Sequence, residues 1–187
     1  MISRLQPALG RLLISEPFLM DPNFKRAVVL ITDHQDEGTV GFILNQCSTL
    51  LLKDVVPELE EASFPVYFGG PVETDTIHFI YRCHDKIGDG QEVAKGIYWG
   101  GNFETLKALI RNNSISEDEI KFFIGYSGWG KEQLKREMKE NTWIVSDDFH
   151  PDVIFSGNEE NLWREVIINL GPKYAHVSNF PQDPNLN

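Results

Sequence analysis

Apolar residues in this chain fall into short runs separated by polar stretches, with a few longer segments at helical spacing. The run Ala27-Val28-Val29-Leu30-Ile31-Thr32 is continuous and β-branched, which predicts a buried strand. Thr39-Val40-Gly41-Phe42-Ile43-Leu44-Asn45 predicts a second. The polar stretch between them ends in Gly38, so residues 27–45 read as an antiparallel hairpin with a loop longer than two residues. Further strands are expected at 11–15, 66–68, 77–82, 97–99, 143–145 and 153–155, with a polar loop at 85–91. Helical spacing predicts a short helix within 50–61, broken by Pro57, and one from Asn102, a good N-cap, to Asn113. Two more are expected at 131–141, where Leu134 and Met138 are i,i+4 partners, and from 159 to 170, closed by Gly171-Pro172. Ser116 with Glu119, and Ser156 with Glu159, have capping-box form. The tail from Ser178, with Pro181 and Pro184, reads as extended.

One stretch organises this pattern. Phe122-Phe123-Ile124-Gly125-Tyr126-Ser127-Gly128-Trp129-Gly130 reads as a strand running into a glycine-rich corner, with the charged helix 131–141 leaving it. Such corners suit ligands, because glycines admit close backbone approach and a helix start carries partial positive charge. Strands and helices intermix without regular βαβ alternation. The expected class is therefore α+β, largely antiparallel, as one domain over residues 1–187 with no repeat or dividing linker.

Composition narrows the partners. An apolar fraction of 41% and a charged fraction of 24% are those of a globular protein. A net charge of −11 opposes binding to phosphate backbones. On the helix 131–141, Glu132, Glu137 and Glu140 offset Lys131, Lys135, Arg136 and Lys139, and no helix-turn-helix pattern is visible. Direct nucleic-acid binding is not expected. The N-terminus lacks an uninterrupted apolar signal region, and no stretch has the apolar length of a membrane span, so a cytoplasmic protein without membrane contact is expected. Cys47 and Cys83 form no disulfide framework or zinc spacing and read as ordinary thiols of a reducing compartment.

Candidate chemistry is sparse. Gly125-Tyr126-Ser127-Gly128-Trp129 approaches the G-x-S-x-G nucleophile elbow, but its second glycine comes one place early and Trp129 stands where it should be. His150 and His176 are available as bases, yet nothing marks either. Ser127 is read as a turn residue, with a hydrolase acting at the 125–130 corner as the alternative. The groups Asp147, Asp148, His150, Asp152 and His78, Cys83, His84 lack a recognised metal spacing. Gly69-Gly70-Pro71 and Gly100-Gly101-Asn102 lack the remainder of a phosphate-binding motif and read as tight turns. No metal and no cofactor is expected.

Three motifs in order give a resemblance. Asp21-Pro22-Asn23-Phe24 with His34, Gly38, Gly41 and Asn45 is the first; Gly69-Gly70-Pro71-Val72 is the second. The third is the 125–129 stretch with Gln133-Leu134, Glu137 and Trp143. Together, over about residues 8–171, they resemble the AlgH/YqgE family of small bacterial proteins, with the tail 178–187 outside the match. The resemblance implies a single α+β domain with a barrel-like β core and outer helices. It also implies no established activity, only a transcriptional-regulator label attached by name. This chain departs from the family pattern at Cys47, where proline is common, at Arg82, where histidine is common, and at Glu132, where glycine is usual. Members can also carry alanine at the place of Ser127.

The expected ligand-binding set is Asp21, His34, Asn45, Gly69, Gly70, Pro71, Tyr126, Ser127, Gly128, Trp129 and Gln133, polar and aromatic groups beside glycines. The same residues also suit a buttressing role, with Asp21 capping a turn, His34 and Asn45 bonding backbone, and Trp129 and Trp143 filling core. The leading functional expectation is a non-catalytic module that binds a small molecule or a protein and regulates indirectly. A directly DNA-binding regulator ranks below the hydrolase.

Overall fold

The computed structural model describes residues 5–157 and 159–179. The first half runs β1 (Leu12–Ser15), β2 (Val28–Gln35), β3 (Gly38–Ile43), β4 (Cys47–Leu51), α1 (Leu52–Val55), β5 (Pro65–Phe68), β6 (Val72–Tyr81) and α2 (His84–Ile87). The second runs β7 (Gln91–Ala94), β8 (Ile97–Trp99), α3 (Phe103–Arg111), β9 (Ile120–Gly130), α4 (Gln133–Lys139), β10 (Trp143–Ser146), α5 (Asp152–Phe155), α6 (Glu159–Asn169) and α7 (Pro172–Ala175). A 3-10 turn follows at Val177–Asn179. Residues 180–187, most of the expected extended tail, lie outside the described residues, as does Asn158 of the second capping box.

The strands form one mixed α+β sheet in the order β10-β1-β2-β3-β9-β6-β8-β7, with β5 joining β4 to β9. All described ladders are antiparallel except β5 on β9. The sheet curls until a Cβ at Gly10 would lie 2.3 Å from the Val93 carbonyl of β7. Among the described residues no ladder joins its two ends, so the sheet is barrel-like without closing. Because the curled sheet is covered on both faces, β1 and β2 read as continuous apolar runs. Leu12, Ile14, Val28 and Leu30 face the core shared with α6, whose Trp163 and Ile167 fill it. Leu13, Val29 and Ile31 face the other way, toward Leu134 and Met138 of α4. A third core packs α1 and α3 against the sheet through Leu52, Leu106, Ile110, Phe79 and Phe122.

The 27–45 hairpin forms as expected, but its loop is shorter. A bulge at Thr32 carries the register from Ile31↔Gly41 to Asp33↔Val40, and the ladder continues to Gln35↔Gly38. Only Asp36 and Glu37 remain as the loop. Residues 34–37 are polar because this end of the hairpin stands in solvent. Residues 153–155 are helix rather than strand: the amides of Val153 and Ile154 bond back to the carbonyls of His150 and Pro151. Within the expected loop 85–91, a helical turn forms at α2.

The larger correction concerns 122–130. No corner exists there: β9 runs through it as an 11-residue strand. Its first half lies between β5 and β6, which keeps one further pair, Val72↔Tyr126, and from Ser127 it pairs with β3, from Gly41↔Ser127 to Gly38↔Gly130. Gly125, at φ +66°, marks the change of partner.

Candidate functional site

The motif glycines hold two backbones against each other. The Gly69 amide donates to the Ile124 carbonyl at 3.0 Å, and the Gly69 carbonyl accepts from Ile43 at 2.9 Å. A Cβ on Gly70 would come within 2.3 Å of the Tyr126 carbonyl carbon and oxygen, and one on Gly125 within 2.5 Å of the Gly70 carbonyl. Gly69-Gly70-Pro71 is thus the strap that lies across β9, not a phosphate cradle.

Ser127 is fully buried in this crossing, and its Oγ donates to the Gly69 carbonyl at 2.9 Å. It sits in mid-strand, so it is neither the turn residue expected from sequence nor the exposed nucleophile that the hydrolase alternative needs. Ser127→Ala is expected to cost about 1 kcal/mol, because Gly69 keeps the Ile43 amide as a partner. The wild type is expected to stay unlabelled by a fluorophosphonate. Denaturant melts and mass spectrometry of the treated protein check both; a stoichiometric adduct on Ser127 would restore the hydrolase reading.

The third motif closes on a carboxylate. Glu137 Oε2 accepts from the indole N–H of Trp129 at 2.9 Å and of Trp143 at 2.7 Å. Its Oε1 accepts from the Gln133 side-chain amide at 2.9 Å, and Gln133 Oε1 in turn accepts from the Gly130 amide at 3.3 Å. The two indoles meet edge to face at 5.7 Å, and Phe24 of the first motif packs on both. This hub joins β9, α4 and β10, and two of its side chains, Trp129 and Gln133, belong to the expected ligand-binding set.

The first motif divides. Asp21 caps its own turn, accepting from the Asn23 amide at 2.9 Å. Asn45 bridges backbone, accepting from the Val28 amide and donating to the Arg26 carbonyl, each at 2.9 Å. His34 is different: it is exposed near the hairpin end, with Nδ1 2.7 Å from the Thr39 hydroxyl. It lines a groove of about 530 Å³ between that hairpin and α4. Tyr126, Gly128 and Trp129 line a neighbouring groove with Val40 and Val72, which shares Gln35, Glu37, Gly38 and Thr39 of the hairpin with the first, and Asn45 borders a third beside Trp163. The expected set therefore does not converge on one cleft.

The two His-containing polar groups, at 147–152 and 78–84, make other contacts. His150 pairs with Asp152 at 3.1 Å, Asp152 meets Arg82 at 2.5 Å, and His84 stacks on Tyr98 at 4.0 Å. Among the described residues, no three His, Cys, Asp or Glu side chains converge as a metal site.

Sequence reasoning missed Lys121. It lies in the apolar core of β9 and is only 4% exposed. Its Nζ sits 3.9 Å from the centre of the Tyr67 ring and donates to the Ile154 carbonyl of α5 at 3.1 Å. Tyr67 donates its hydroxyl to the Glu159 carboxylate. Burial lowers the Lys121 amine to about 8, against the raising fields of Glu159 and Cys47. The available signal was a lone charge inside the run Ile120-Lys121-Phe122-Phe123-Ile124.

A curled mixed sheet with outer helices, strapped by Gly-Gly-Pro and locked by a Trp–Glu hub, defines a small α+β class of protein. Residues 12–175 match the family of AlgH-like proteins, and the chain belongs to that family. It is 40% identical over 179 residues to a UPF0301 protein of Cytophaga hutchinsonii, covering 95% of this chain and 98% of that one. A UPF0301 protein of Bacteroides thetaiotaomicron is 40% identical over 182 residues, covering 97% and 92%. The fold matches the crystal structure of protein DIP2367 from Corynebacterium diphtheriae with a TM-score of 0.77, at 22% identity over 96% of this chain and 95% of that one. It also matches the solution structure of AlgH from Pseudomonas aeruginosa with a TM-score of 0.72, at 22% identity over 96% and 98%. Among the described residues, no helix is long and apolar enough to cross a membrane.

Proposed function

We propose that this chain is a cytoplasmic, non-catalytic binding module whose ligand surface is the groove between the β2–β3 hairpin and α4. The observation that carries this reading is the composition of the groove. Leu134 and Met138 give it an apolar floor, Asp36 and Glu37 line it from one side, and Lys131 and Lys135 from the other. His34, oriented by Thr39, stands among these charges. A volume of about 530 Å³ falls within the range of small-molecule sites, commonly about 300–1,000 Å³. Apolar floor and two-signed rim together suit an amphipathic ligand with a zwitterionic or hydrogen-bonding head. Any regulatory role would then be indirect, through what occupies the groove. A net charge of −11 works against a direct role on DNA.

The test is a fragment library of amphipathic amino-acid derivatives screened by amide chemical shifts. Hits are expected to move residues 33–39 and 131–138 together. They should weaken at least tenfold in His34→Ala and Lys135→Glu, both of which replace exposed side chains. Hits that move other regions only, or that bind both variants as well as wild type, would sink the assignment.

A further inference from the structure

The described residues contain a nucleophilic group that the proposed groove does not use. We propose that Lys121 captures small neutral aldehydes as an imine, within the cavity it shares with Tyr67 and Phe155. The cavity is about 200 Å³ and is walled by Phe64, Pro65, Tyr67 and Phe155, with Glu117 and Asp118 also on its lining. A water occupies about 30 Å³ in the liquid, so the space takes roughly six such groups, a carbonyl compound of a few carbons. Aromatic and apolar walls favour an uncharged chain. The two carboxylates disfavour a 2-oxo acid, which would bring its own negative charge.

The amine is placed for this chemistry. Its Nζ stands over the Tyr67 ring and bonds the Ile154 carbonyl, so the side chain is held at one position instead of sweeping solvent. No carboxylate is bonded to it among the described residues. Glu159 lies close enough to act through its field, yet it is engaged by the Tyr67 hydroxyl. Burial disfavours the ammonium form, leaving a larger share of neutral, nucleophilic amine near neutral pH than an exposed lysine has.

The step balances without a further reactant. The neutral amine's lone pair adds to the carbonyl carbon, forming the C–N bond as the C=O π bond opens onto oxygen. A proton moves from nitrogen to that oxygen, giving a carbinolamine. The nitrogen lone pair then expels the hydroxyl, with one further proton, as water, and a C=N bond remains. Nothing is oxidised or reduced, and added water reverses the capture.

The experiment uses the full chain, butanal as the probe and cyanoborohydride, which reduces the imine to a stable secondary amine. Peptide mass spectrometry then reads each lysine. At pH 7, Lys121 is expected to acquire one butyl group at least tenfold faster than exposed Lys131 or Lys135. Butanal should outpace glyoxylate at Lys121 but not at the exposed lysines, and a long-chain aldehyde should lose the advantage altogether. Lys121→Met should remove the fast adduct. Should that variant fold poorly, Phe155→Trp, which narrows the cavity and keeps the amine, should slow the adduct in a protein of native circular dichroism. Labelling of Lys121 no faster than of the exposed lysines, in the wild type alone, overturns the proposal.

Discussion

Alanine at Gly70 or at Gly125 is expected to cost about 3–5 kcal/mol, whereas alanine at Gly128 should change stability by less than about 1 kcal/mol. Gly70 has φ +153° and Gly125 has φ +66°. A side chain in such regions carries strain of about 1–3 kcal/mol. The added Cβ also meets backbone that cannot step aside. At Gly70 it would lie 2.3 Å from the Tyr126 carbonyl carbon and oxygen and 2.4 Å from the Ser127 amide nitrogen. At Gly125 it would lie 2.5 Å from the Gly70 carbonyl and 2.9 Å from that of Val72. Overpacking of this kind adds about 1–3 kcal/mol. Gly128 lacks positive φ, and its nearest neighbour is a ring carbon of Tyr126 at 3.3 Å, which can tilt. Against a total stability of about 5–15 kcal/mol, the first two losses are large enough to read as a collapsed urea midpoint. Equal midpoints for Gly70→Ala, Gly125→Ala and Gly128→Ala would show that the crossing bears no special strain.

This ordering of the glycines was not legible in the chain. Gly125 and Gly128 both flank the near-elbow Ser127, and only the placement of β9 between β5, β6 and β3 shows that Gly125 and Gly70 carry the constraint. Elements with a strong local signal could be read directly. The apolar runs of β2 and β3 marked the hairpin, and α3 begins where Asn102 Oδ1 accepts from the Thr105 amide at 2.9 Å. Strands at the margins could not. Among the described residues β4 pairs only with β5 and β7 only with β8, both are half solvated, and neither shows clean alternation. The site was legible as motifs but not as geometry. Residue type places Asp, Asn, Gln and Trp equally well around a ligand or a backbone carbonyl. Which one holds depends on strands far apart in sequence, as when Asn45 reaches back to Arg26 and Val28.

Glu137 gives the sharpest case, and its replacement by alanine is expected to cost about 3–5 kcal/mol. The carboxylate serves three donors, and two of them, the indole N–H groups of Trp129 and Trp143, belong to side chains that are 4% and 2% exposed. Removing their acceptor leaves each unsatisfied at about 1–3 kcal/mol, and the lost stem opens space beside the two indoles it bonds. Glu137→Gln keeps one oxygen for the two indoles but turns an N–H₂ group toward the Gln133 amide unless that side chain reorients. Its cost should be smaller, about 1–2 kcal/mol. The coupling is testable because all partners meet at one group. Trp143→Phe in the wild type breaks a bond, whereas in Glu137→Ala it removes an already orphaned donor. The pair should therefore be non-additive, the double variant falling short of the summed single losses by about 1 kcal/mol or more. Urea melts of the four proteins in that cycle, followed by circular dichroism, make the measurement. Simple additivity, or an alanine variant as stable as wild type, would mean that the hub contributes packing alone. That outcome would return Trp129 and Gln133 to the set of groups held for a ligand.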